Sequence, residues 1–282
     1  VFNAAERGFP LSGAEAWAGS FCYTFQLYFD FSGYTDMALG IGLMLGLNLP
    51  ENFNSPYKST GIVDFWRRWH ISLGAWLRDF LYIPLGGSRA GRLRQYRNLF
   101  LTMLIGGAWH GAGWTFILWG ALHGFMLTVN HWFRALVKGS AGEMFMNSAP
   151  MRFLCATLTF FCINWCWVIF RAQTLDGARR VFEAMFGLPD AAGAVDGGPL
   201  NGAVGMARIM PNGYVAGWEP VALLLIGAFV VWCLPNCRQL MQDCREEGAG
   251  ESRLPLSFGF VGVRGLLWAL FLAVLAGLSL LM

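Results

Sequence analysis

Charge is what this sequence has least of. Asp, Glu, Lys and Arg make up 13% of its 282 residues, where soluble domains carry about a quarter. The net charge is only +3 and no long basic run appears, so nucleic-acid binding has no support. The seven cysteines (22, 155, 162, 166, 233, 237 and 244) include no CxxC pair. Most lie in apolar stretches and read as buried small hydrophobes, not as disulfides or zinc ligands. The four histidines form no HxxxH or HxH pair, so no metal site is expected. No internal repeat or low-complexity tract is visible. The opening "VFNAAERGFPLSG" lacks a basic region followed by an apolar core, so it is not a secretory signal. It also lacks Met, and "LAVLAGLSLLM" stops inside an apolar run; the chain is expected to be a piece of a longer one.

Apolar residues fill the space that charge leaves. The chain is 56% hydrophobic and 16% aromatic, with 13 Trp, and its mean hydropathy is +0.47. That is the composition of a membrane protein, and a crossing helix needs roughly 20 mostly apolar residues. Candidate spans are 17–29, 34–47 (short), 98–133 (two passes or a re-entrant hairpin), 152–170, 218–234 and 265–282. The expected class is therefore all-α and polytopic. The segment 86–98 carries Arg89, Arg92, Arg94 and Arg97 and no acid, so it reads as a cytoplasmic loop. The loop 134–151 reads likewise, and so does 236–264. The loop at about 172–217 is Gly- and Pro-rich with balanced charge, and reads as extracytoplasmic. It opens with an amphipathic surface helix over 174–187.

The stretch "DFWRRWHISLGAWLRDFLYIP", 64–84, has a different pattern. At 100° per residue, Phe65, Trp66, Trp69, Leu73, Trp76, Leu77, Phe80 and Leu81 share one arc of about 160°. Arg67, Arg68, Ser72, Arg78 and Asp79 fall outside it. The pattern predicts one interfacial or re-entrant helix, with His70 on its apolar side and Pro84 and Gly86-Gly87 at its end.

Several polar residues lie at membrane depth. In "IGGAWHGAGWTF", His110 sits among glycines and tryptophans at the turn of the predicted hairpin. An ionisable residue there is a functional candidate, since an idle one is costly, and imidazole is a common general base. The alternative is one hydrogen bond to a carbonyl and packing. His70 has the same two readings. His123, between Gly120 and Gly124, reads as helix-packing glue, and His131 as interfacial. Asp30 and Asp36 suggest either a helix broken at Ser32-Gly33, with Asp30 or Ser32 as its cap, or a proton relay. Arg67, Arg68 and Arg78 would hold donor phosphates at the cytoplasmic face, or simply belong to an interfacial belt.

Three segments resemble the membrane-bound O-acyltransferases: "YFDFSGYTDMALGIGLMLGLNLPENFNSPY", "FWRRWHISLGAWLRDFLYIPLGGSR" and "GGAWHGAGWTFILWGALHG". The bacterial alginate O-acetylation branch is nearest, and "WVIFRAQTLDGARRVFEAMFG" also matches it. Teichoic-acid D-alanyl transfer proteins are more distant. The resemblance covers nearly all of 20–190; beyond 191 only hydropathy is shared. It implies a ring of tilted helices around a tunnel crossing the inner membrane. The family's "WHG" histidine is here His110 and its "RWH" histidine His70, both catalytic. Trp69, Arg67, Arg68, Arg78, Trp109 and Asp36 are expected to contact substrates. Family members carry N-terminal helices ahead of "YFDFSGY" that this chain lacks, so 1–282 reads as a partial domain, with its core motifs over 20–133.

The implied activity is O-acyl transfer from a thioester donor such as acetyl-CoA or an acyl carrier, with no bound cofactor. A polysaccharide or partner-protein hydroxyl would accept the group on the outer side. His110 would take the hydroxyl proton, and His70 would orient the acceptor or donate to the oxyanion. Membrane lipid and periplasmic acetyltransferase or polysaccharide-assembly proteins are the expected partners. A proton-relaying transporter and a scaffold of a polysaccharide export complex are the rival readings.

Overall fold

The computed structural model describes residues 1–89, 91–188 and 219–239. These residues form helices and turns, with no strand among them, as the all-α expectation requires. The chain divides into two compact units, Val1–Cys233 and Leu234–Met282, and the described architecture is that of the first. Residues 189–217 of the predicted loop 172–217, residues 240–264 of the predicted loop 236–264, the predicted span 265–282 and Cys244 lie outside the described residues.

A short helix α1 (Phe2–Glu6) precedes α2 (Gly13–Met44). Ser12 caps α2 through a reciprocal box: its hydroxyl accepts from the Glu15 N–H, and the Glu15 carboxylate accepts from the Ser12 N–H at 2.9 Å. The predicted break at Ser32-Gly33 does not occur. The helix runs on through both residues, and neither Asp30 nor Ser32 is a cap. An internal glycine costs only about 1 kcal/mol. Packing on either side outweighs that: Phe21 and Phe25 lie on Phe160, and Phe31 lies edge-on to Phe53.

The single helix predicted over 64–84 is also corrected. After a 3-10 turn at Pro56–Lys58 come α3 (Ile62–Trp66) and α4 (Ile71–Leu77), parted at His70. A π-turn over Arg78–Tyr82 continues α4. His70 takes the left-handed conformation, φ 42 and ψ 59, which costs a non-glycine residue about 1–2 kcal/mol. The segment before α3 captures the backbone there. Asn54 donates its N–H to the Arg68 carbonyl, and Ile71 donates to the Asn52 carbonyl, each at 3.0 Å. The apolar period survives because Phe65 of α3, Trp69 of the junction and Leu77 of α4 are all buried.

The predicted hairpin is present as α5 (Arg92–His110) and α6 (Trp114–Val137), joined at Gly111–Gly113. Helix α5 starts earlier than expected, so Arg92, Arg94 and Arg97 of the predicted basic loop are helical. The two backbones touch at glycines. A Cβ on Gly107 would meet the Phe116 carbonyl oxygen and lie 3.0 Å from Gly120 Cα; one on Gly124 would lie 2.9 Å from Phe100 Cα. Small residues permit this approach.

After α7 (Ala141–Met146) comes α8 (Ala149–Arg171), the one helix among the described residues long and apolar enough to cross a membrane. The predicted amphipathic helix is α9 (Leu175–Phe186), capped by the Thr174 hydroxyl and ended by Gly187 at φ 63. Helix α10 (Glu219–Cys233) is shorter and apolar. The core is largely aromatic, centred on Phe65, Trp119, Trp167 and Tyr57. Tyr57 donates to the Thr24 carbonyl at 2.8 Å and accepts from Trp167 Nε1 at 3.2 Å.

Candidate active site

His110 is the last residue of α5, at the mouth of the glycine turn. Aromatic rings hold its half-buried imidazole. Trp119 lies edge-on at 5.2 Å between centroids, Phe170 at 5.3 Å and Trp109 at 5.2 Å. Phe116 packs on Phe170 and closes over Gly111, where a Cβ would lie 2.6 Å from the Phe116 ring. Among the described residues no side chain hydrogen-bonds the His110 ring.

His70 comes to the site from the α3–α4 junction. Its ring meets Phe31 of α2 edge-on at 4.8 Å. Its Nδ1 lies 3.3 Å from Asn52 Oδ1 and 3.4 Å from Ser72 Oγ. His70 and His110 thus come from separate elements, the α3–α4 junction and the end of α5.

The remaining sequence-derived candidates occupy different places. Trp69 is buried in the core, stacked on Phe65 at 5.6 Å and tilted on Trp167 at 4.9 Å. Arg68 is tied to Asp64 at 2.9 Å and reaches the Asn54 carbonyl. Arg67 is exposed. Arg78 is exposed and paired with Asp79, whose carboxyl it holds below its usual value by hydrogen bonding. Trp109 is 65% exposed, next to His110. Asp36 is half-buried on α2 and Asp30 is exposed.

Two features escaped the sequence reading. One is Asn52 with Ser72; the run "LPENFNSP" looks like ordinary loop, and only its turn-forming composition could have drawn attention. The other is the depth of His123. It is fully buried, as packing glue should be, yet it also accepts a hydrogen bond from Trp66 Nε1 at 3.2 Å. Among the described residues no three His, Cys, Asp or Glu stand together as metal ligands.

Comparison with known proteins adds a family to this geometry. The membrane-bound O-acyltransferase family model matches residues 2–173. The chain is 54% identical over 181 residues to the probable alginate O-acetylase AlgI of Azotobacter vinelandii, covering 64% of this chain and 34% of that protein. It is 52% identical over 183 residues to the peptidoglycan O-acetyltransferase of Helicobacter pylori, covering 65% and 34%. It is 35% identical over 119 residues to the teichoic acid D-alanyltransferase of Bacillus subtilis, covering 39% and 30%. The chain thus spans about a third of the length of these relatives. Both histidines and the elements that carry them fall inside the matched residues, and the chain belongs to the membrane-bound O-acyltransferase family.

Proposed function

We propose that this protein transfers an acyl group, most simply acetyl, from a thioester donor to a hydroxyl. The donor would be acetyl-CoA or an acyl carrier on the cytoplasmic side. The acceptor would be a cell-envelope polysaccharide, or a partner protein that passes the group on, beyond the inner membrane. The full protein would cross that membrane several times, alongside lipid and polysaccharide-assembly or periplasmic acetyltransferase partners. The observation that carries this reading is the family match, whose matched segment holds both His110, ringed by Trp119 and Phe170, and His70, anchored by Asn52.

The chemistry needs one base and fixed polar groups around the carbonyl. As the hydroxyl oxygen adds to the thioester carbonyl, its proton passes to His110. Collapse of the adduct breaks the C–S bond, and the thiolate leaves with that proton as a free thiol. General base catalysis of this kind contributes about 10²–10⁴-fold. The aromatic wall around His110 keeps water from competing with the acceptor. Trp109 lies at the exposed edge of that wall, where a substrate would enter, whereas Trp69 supports it from within the core.

A thioester-dependent transfer assay on the full protein in membranes tests the reading. Labelled acetyl should reach a polysaccharide or protein acceptor in the presence of donor. Proton-coupled flux without transfer would establish a transporter instead, and absence of both would leave a scaffold.

A further inference from the structure

We infer that Asn52 is a positioning residue of this site: it keeps the proton of neutral His70 on Nδ1 and leaves Nε2 to accept a hydrogen bond from a hydroxyl of the acceptor. The inference rests on the acyl-transfer reading and goes further, because it decides between the two roles open to His70.

The backbone fixes the orientation of the Asn52 amide. Ser72 donates its N–H to Asn52 Oδ1 at 3.1 Å. A backbone N–H can only donate, so the atom it meets is the carbonyl oxygen and not the NH₂. The Ser72 hydroxyl donates to the same oxygen at 2.6 Å. His70 Nδ1 is its third neighbour, at 3.3 Å. An amide oxygen only accepts, so Nδ1 must carry the hydrogen. The Ser72 hydroxyl has spent its own hydrogen on Asn52, and its lone pairs can share the Nδ1–H at 3.4 Å. A neutral imidazole with its proton on Nδ1 has a bare Nε2. Such a ring cannot donate to an oxyanion through Nε2; it can accept from O–H.

The backbone around the ring is held from the same residue. The Asn52 carbonyl accepts from Ile71 N–H at 3.0 Å, so Asn52 grips the chain on the C-terminal side of His70 with both its main chain and its side chain. Phe31 closes one side of the ring. Asn52 and Ser72, which meet Nδ1, are both uncharged. Asn52 Oδ1 and Ser72 Oγ are the polar neighbours of Nδ1 among the described residues.

Two measurements on the full protein in its membrane test this. The first does not depend on activity: the rate of His70 modification by diethyl pyrocarbonate, followed by mass spectrometry across pH. The reagent attacks an unprotonated ring nitrogen. Asn52→Asp keeps the acceptor oxygens but puts a carboxylate against Nδ1, which favours imidazolium. The midpoint for His70 should move to higher pH by about one unit or more, with His131 unmoved as the internal control. An unmoved His70 midpoint overturns the inference even if transfer is observed. The second is a mutant cycle on transfer. Asn52→Leu should cost about tenfold or more in wild type, and little further in a His70→Ala background. Equal losses in both backgrounds would make Asn52 merely structural and would also overturn it. If wild type transfers no acyl group, the functional reading fails while the modification result still decides whether Asn52 acts on the His70 ring.

Discussion

At the scale of single residues, the two histidines differ in how they are held. Aromatic rings surround His110, with no side-chain hydrogen bond to its ring among the described residues, whereas Asn52 anchors His70. His110→Ala should abolish acyl transfer while expression and insertion stay near normal; wild-type product levels would remove it from the mechanism. Groups that act as a unit lose activity non-additively. The double His70→Ala, His110→Ala variant should therefore be little worse than the worse single variant. A second residue-scale effect lies away from the chemistry. Glu6 accepts from the Gln173 and Thr174 N–H groups at 2.7 and 3.1 Å and from the Thr174 hydroxyl at 2.7 Å. Burial works against its ionisation, yet these bonds outweigh it and hold its carboxyl below the usual 4.5. The folded value is thus lower than the unfolded one, so the contribution is complete above the ordinary carboxylate range and lost as pH falls through the folded value. Melting in detergent should become acid-sensitive below about pH 5, and Glu6→Gln should blunt that sensitivity.

At the scale of elements, the α5–α6 hairpin and α2 use glycine in opposite ways. Gly107 and Gly120 face each other with no room for a Cβ, whereas Gly33 in α2 has nothing within 4 Å of that position. Gly107→Ala should push α5 from α6 and shift His110 three residues away. The expected cost is about 1–3 kcal/mol, as for an overpacked core, with transfer falling alongside the melting temperature. Gly33→Ala should leave stability unchanged or raise it by up to about 1 kcal/mol. A hairpin tolerant of Ala at 107 would mean that the glycine contact is not what sets the turn. The hairpin was legible because its cues are local: two apolar stretches, glycines at the turn and the G-x₃-G spacing of Gly120 and Gly124. The single 64–84 helix was misread for the opposite reason. A hydrophobic period reports which face is buried, not whether the backbone is continuous, and α3 and α4 keep the period across a left-handed His70.

At the scale of the whole molecule, the candidate site draws on α2, the Asn52 segment, the α3–α4 junction, the hairpin and α8. Phe31, Asn52, His70, His110 and Phe170 come from these five places. Activity should therefore depend on the packing of all of them, and single-element fragments should show none. The topology can be checked by labelling. A single cysteine at position 68 should react with an impermeant reagent from the cytoplasmic side, as the Arg-rich segment 89–97 implies. Reaction only from the outer side would invert the arrangement.

The sequence by itself determined the helical class, the family, the α5–α6 hairpin with His110 at its turn, and the capped amphipathic α9. Composition, period and motif are properties of neighbouring residues, and these features need nothing more. Tertiary structure decided that α2 runs unbroken through Ser32 and Gly33, that Trp69 belongs to the core, and that the chain breaks at His70. Each of these depends on what a distant segment offers. Asn52 and Asn54 take up backbone groups around His70 that would otherwise serve a helix, and aromatic partners on α8 make the continuous α2 worth its internal glycine. The role of Asn52 is of the same kind: an amide in a loop acquires a function only when the fold brings a Ser72 N–H and an imidazole to one oxygen.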